Sequence, residues 1–135
     1  MCLKLTMVNK MILPQEIETF YVIPALRKHL ALNLDKTGMK QKDIAAILGI
    51  NTAAISQYRS AKRGGKIKFN ENILAEIGTS ASRIGDRFSY IKETQRLLRV
   101  IREQGVLCTI HKQLANIPAH CEPKSVGCHQ LEVCA

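Results

Sequence analysis

Residues 41–60 (QKDIAAILGINTAAISQYRS) constrain the fold more than any other part of the chain. They carry two apolar repeats of helical period, each about two turns long, on either side of Gly49-Ile50-Asn51. Helices that short are marginal alone, so the two have to fold as one packed pair. The corner between them restricts almost every position. Ala45 is small where the second helix crosses above the first. Gly49 stands where the chain leaves the first helix and favours a left-handed φ. Ile50 is expected to plug the corner and Asn51 to cap the second helix. Ile44, Leu48, Ile55 and Tyr58 are expected to fill the space between the two.

The helical period continues on both sides. Ile23, Leu26, Leu30 and Leu34 predict a helix within 15–35, with Gly38 as its stop. Pro24 fits a first-turn position, which predicts a kink or break over Glu16–Tyr21. Asn70 is expected to cap a short helix over Glu71–Ile77, closed by Gly78. Ser80 is expected to cap a long helix running to Glu103, with Ile84, Phe88, Ile91, Leu98 and Ile101 as its apolar stripe and Gly105 as its end. A short helix over Val106–Ala115 stops before Pro118. Aromatic residues make up only 4% and Trp is absent, so the core is built from Leu, Ile, Val and Ala, as in helical rather than sheet folds.

These elements predict an all-α protein: a bundle of about five helices, then a short C-terminal helix and an irregular tail. The expected organisation is a loose N-terminal tail at 1–13, a helical domain at 14–78, a long and a short helix at 79–115, and a Cys- and His-bearing tail at 116–135. The long helix presents more apolar surface than such a bundle needs. Dimerisation through 79–115 accounts for it, and so does folding back onto the domain's own core.

With 135 residues the chain is too short for a large multidomain enzyme. No apolar run approaches the roughly 18–20 residues that span a membrane, and residues 1–10 are too polar for a signal peptide. A cytoplasmic location without membrane contact is expected, with the five cysteines as reduced thiols or metal ligands. The formal net charge of +9 is unevenly spread. Residues 1–70 hold 12 Lys and Arg against 4 Asp and Glu, whereas residues 71–135 hold 8 against 7. A basic excess confined to the half that carries residues 41–60 points to a polyanionic partner there.

The second helix of the pair, residues 52–60, would leave Thr52, Ala53, Ser56 and Gln57 on its open face. These residue types suit the major groove of double-stranded DNA. Gln pairs bidentately with adenine, Ser bonds either base type, and Ala or the Thr methyl meets the thymine methyl. Gln41, at the start of the first helix, is placed for a phosphate oxygen. Arg59, Lys62, Arg63, Lys66 and Lys68 are better suited to phosphates than to bases. The competing reading is a hairpin used only for packing, its polar face in solvent.

Residues 41–60 resemble the helix-turn-helix of the phage-repressor and Cro-like DNA-binding domains, over about residues 23–77. Leu13-Pro14, Val22 to Arg27 and Gly105 to His111 extend the likeness to small archaeal and bacterial predicted transcriptional regulators with a cysteine-bearing C-terminal region. The resemblance implies a repressor-like fold, sequence-specific DNA binding in transcriptional control as a homodimer, and no enzymatic activity. Two departures from that group concern its cysteines. Gln15 stands where a cysteine often follows the Leu-Pro, and Arg96-Leu97-Leu98-Arg99 stands where a Cys-x-x-Cys often precedes the Gly-x-Leu-Cys. Two alternatives stay open: a bridging adaptor of the transcription machinery, and a metal- or thiol-responsive regulator controlled by the C-terminal cysteines.

Cys108 and His111 are three apart on one helical face and could share a metal with Cys121 and Cys128. His120, His129 and Cys134 lie nearby in sequence. Thiolates with imidazole suit zinc or an iron–sulfur cluster. The spacing is irregular, however, and buried reduced cysteines are the competing reading.

Overall fold

The computed structural model describes residues 13–60, 67–115, 117–118, 120–122 and 128. Among these the secondary structure is helical throughout, with no strand. No helix among them is long and apolar enough to cross a membrane. The expected tail at 1–12, most of the expected tail at 116–135, and Lys62, Arg63 and Lys66 lie outside the described residues. The chain divides into two compact units. One is Tyr21–Leu98, and the other combines Met1–Phe20 with Arg99–Ala135.

The central element of the first unit is α2 (Ile23–Lys36), which follows α1 (Pro14–Ile17) and a π-helical turn (Glu18–Val22). Ala25, Leu26, Leu30, Ala31 and Leu34 line one side of α2 and are at most 1% exposed. On that side pack α3 (Gln41–Leu48), α4 (Thr52–Arg59) and α5 (Glu71–Arg83). Gly38, at φ +90°, turns the chain between α2 and α3. The predicted kink over Glu16–Tyr21 takes the form of the π-helical turn, which keeps the backbone helical just ahead of Pro24. A proline nitrogen cannot donate, and a one-residue widening at this place absorbs the irregularity.

Asn70 caps α5, its Oδ1 accepting from the backbone N–H of Ile73 at 2.9 Å. The helix does not stop at Gly78. It runs on to Arg83 because Ile73, Ile77 and Ala81 repeat at four-residue steps on the buried face. That packing outweighs the roughly 1 kcal/mol by which glycine disfavours a helix interior. Ser80 is therefore not a cap. It is fully buried, and its hydroxyl donates to Glu93 Oε1 at 2.8 Å.

The break comes at Ile84–Asp86, and α6 occupies Arg87–Glu103. Its start is fixed by reciprocal bonds. Ser89 N–H donates to Asp86 Oδ1 at 2.7 Å, and Asp86 N–H donates to Ser89 Oγ at 3.0 Å. Hydrogen bonds to the Asp86 carboxyl, first from the Ser89 N–H and then from the Ser89 side chain, hold it below its ordinary range. The buried face is not the expected one. Glu93, Thr94, Leu97 and Ile101 are buried, whereas Phe88 and Ile91 are 76% and 56% exposed. At about 100° per residue, Phe88 lies about 180° and Ile91 about 120° round the helix from Leu97, so neither shares its buried face.

Glu93 is the hub of a polar cluster on the buried side. Arg96 donates to it from Nε at 3.1 Å, and through its terminal nitrogens to Glu76 at 2.7 Å and to Ser80 at 2.8 Å. Burial pushes the Glu93 carboxyl up. The Ser80 and Arg96 hydrogen bonds, with the charges of Arg96 and Arg83, outweigh that and hold it below the usual range.

In the second unit α1 packs against α7 (Val106–Leu114), which starts after Gly105 at φ +73°. Ile17, Ile101, Leu107, Ile110 and His111 are among its buried side chains. Glu18 and Arg102 are both largely buried and form a two-pronged ion pair, with Arg102 Nε 2.6 Å from Glu18 Oε2.

Candidate nucleic-acid interface and a thiol-lined cavity

The corner between α3 and α4 is built as its sequence requires. Gly49 adopts φ +68° and the Ile50 N–H donates to the Ala45 carbonyl at 3.0 Å, closing the turn. Asn51 Oδ1 accepts from the Ala54 N–H at 2.9 Å, so α4 begins at Thr52. Ile44, Ala45, Leu48, Ile55 and Tyr58 are buried, as expected, and so is Ala54, which the sequence reading placed in no role. Ile50 is only half-buried, so it edges the corner rather than plugging it. On the other side of α4, Thr52, Ala53, Ser56 and Gln57 are all exposed. The four candidate base-reading residues thus share one accessible face.

Arg59 is engaged within the protein. Its Nε donates to Asp35 Oδ2 at 2.9 Å and its Nη2 pairs with Oδ1. With the Gln41 amide oxygen turned toward it, Nη1 also donates to Gln41 at 2.6 Å. The hydrogen bonds from Arg59 hold the Asp35 carboxyl below its ordinary range. Of the residues expected on phosphates, Arg59 is held by the Asp35 carboxylate and Gln41 bonds Arg59 in turn. Lys40 and Lys42 are exposed on either side of Gln41 and were missed by the sequence reading. A lone lysine outside an apolar period carries no signal of its own. A hollow of about 470 Å³ opens beside the corner, lined by Pro24, Arg27, Gly49, Ile50, Asn51 and Tyr58. The buried Nε of Arg27 has no hydrogen-bond partner among the described residues.

The second unit encloses a separate cavity of about 330 Å³. Leu13, Pro14, Leu107, Ile117 and Pro118 form its apolar wall. Cys108, Cys121, Cys128, His111 and Lys112 complete it. The four candidate metal ligands are thus brought to one cavity from positions up to twenty residues apart. They do not converge further. Among the described residues no three Cys, His, Asp or Glu side chains form a group that could hold a metal ion. Burial, then the neighbouring thiols, pushes the Cys108 and Cys128 thiols up, which favours neutral S–H over the thiolate that a metal needs. His111 is 9% exposed, and its Nε2 has no hydrogen-bond partner among the described residues. His120 is exposed, and His129 and Cys134 lie outside the described residues.

No family model matches this chain, and neither does any curated protein or solved structure.

Proposed function

We propose that the chain is a sequence-specific DNA-binding regulator of transcription in the cytoplasm. In this reading α3 and α4 act as a repressor-like helix-turn-helix, and α4 enters the major groove. One observation carries it: α4 buries Ala54, Ile55 and Tyr58 and leaves Thr52, Ala53, Ser56 and Gln57 together on its exposed face. These are side chains that bond or touch base edges, on a helix short enough to fit the groove. The setting supports the same reading. Lys40 and Lys42 flank the start of α3, where phosphate contacts fix a helix-turn-helix on its duplex. The net charge of residues 1–70 supplies the field that draws DNA in. Phe88 and Ile91, exposed on α6, offer an apolar face for a second copy, and paired copies read paired half-sites.

The test is binding to duplexes selected from a random-sequence pool, followed by fluorescence anisotropy across a salt series. A selected duplex is expected to bind about 10³-fold or more tighter than random DNA, with two chains per duplex. Its log affinity is expected to fall linearly with log salt. Equal affinity for all duplexes would leave only non-specific charge and overturn the reading.

A further inference from the structure

We propose that the cavity lined by Leu13, α1, α7, Ile117, Pro118, Cys121 and Cys128 binds a small amphipathic carboxylic acid, with its apolar body inside and its carboxylate at Lys112. The volume of about 330 Å³ falls in the range of small-molecule sites, and the wall is predominantly apolar. The thiols do not oppose an apolar guest. Cysteine side chains behave as small, polarisable hydrophobes.

The charge of the lining selects the head group. None of the described lining residues is acidic, and the one formal charge is the ammonium of exposed Lys112. Lys112 is near enough to the interior for its charge to act on Cys108. A carboxylate held at Lys112 stays beside solvent, so its charge is not stripped of water, and its bond to the ammonium is charge-assisted. An uncharged guest would use the wall and leave the ammonium unanswered. A metal ion would need donors grouped in threes, which the described residues do not provide.

The site is tested on the full chain by isothermal titration calorimetry without DNA, so the outcome is independent of what α4 does. The probes are naphthalene-2-carboxylate and its uncharged counterpart 2-acetylnaphthalene. The acid is expected to bind once per chain and about tenfold tighter than the ketone, a difference of about 1.4 kcal/mol. Lys112→Gln should remove that advantage and leave the ketone unaffected. Ile117→Trp, which fills the cavity from a residue outside the helices, should abolish binding of both with the circular dichroism spectrum unchanged. If Ile117→Trp does not fold, Lys112→Gln on the exposed face of α7 decides alone. The proposal is overturned by failure of the acid to bind, by equal affinity for acid and ketone, or by unchanged acid affinity in Lys112→Gln. It is equally overturned if anaerobically purified protein carries stoichiometric zinc or iron that Cys121→Ser and Cys128→Ser together remove.

Discussion

Arg59 donates through Nε to Oδ2 of Asp35 at 2.9 Å, and so ties the last turn of α4 to the last turn of α2. The two residues are 24 apart in sequence. The pair orients the helix that carries Thr52, Ala53, Ser56 and Gln57, and it also occupies a guanidinium that would otherwise be open to DNA phosphate.

Asp35→Asn should therefore shift function more than stability. The pair is exposed, and exposed ion pairs contribute about 0–1 kcal/mol, so the urea midpoint should hardly move. Releasing Arg59 and removing one negative charge should strengthen DNA binding at low salt and steepen the log affinity against log salt slope by roughly 1. An unchanged slope in anisotropy titrations would mean that Arg59 orients α4 and meets no phosphate.

Gln57→Ala should weaken binding to the selected duplex by about 1–3 kcal/mol and relax base preference at one position. The variant is compared with the parent on single-base substitutions of the site. Equal losses on selected and random duplexes would assign Gln57 to the backbone instead.

Two glycines should respond in opposite directions to alanine. Gly49 sits at φ +68°, where a Cβ would also come within 3.2 Å of Arg87 Nη2. The Arg87 side chain can swing aside but the left-handed φ remains, so Gly49→Ala should cost about 1–2 kcal/mol. Gly78 lies inside α5, and an added Cβ would meet Asn33 Oδ1 at an ordinary 3.9 Å. Gly78→Ala should stabilise the protein by about 0.5–1 kcal/mol. Urea unfolding of both variants measures this, and a destabilised Gly78→Ala would count against the continuous α5.

Glu93 gives stability an acid limb. Its carboxyl is held below the ordinary range in the fold, so it binds fewer protons there than in the unfolded chain. The stability it supplies is complete above the unfolded value of about 4 and drains away as pH falls through the folded one. Glu93→Gln should cost about 1–3 kcal/mol at neutral pH, because Arg96 loses the negative charge of its buried partner and two charge-assisted bonds become ordinary ones. It should also flatten the decline of the urea midpoint between neutral pH and about pH 3. A parallel decline in both proteins would place the acid sensitivity on other carboxylates.

The pair α3 and α4 was legible in the sequence because a tight corner restricts each residue in turn, from Ala45 to Gly49 to Asn51. The boundary between α5 and α6 was not. Gly78 has the form of a helix stop, but Ile73, Ile77 and Ala81 continue the buried face across it. The true signal was Asp86-x-x-Ser89, a capping box with the roles of acid and hydroxyl exchanged. Phe88 and Ile91 were expected inside because they are apolar, but the buried side of α6 carries Glu93 and Thr94 beside Leu97 and Ile101. The link from Arg59 to Asp35 has no local signature, because charged pairs distant in sequence follow no period. Cys108, Cys121 and Cys128 were visible as a cluster of thiols, but Leu13 and Pro14 carry nothing that announces a cavity wall.

Glu18 and Arg102 stand 84 residues apart and are paired inside a unit assembled from both ends of the described chain. On the ribosome this imposes an order. Tyr21–Leu98 has all its residues before Arg99 is added, so it can fold as soon as it clears the exit tunnel. The segment around Glu18 leaves the tunnel ahead of that unit and has no partner until Arg102 and then α7 have been synthesised, so it takes its place only after Tyr21–Leu98 is complete.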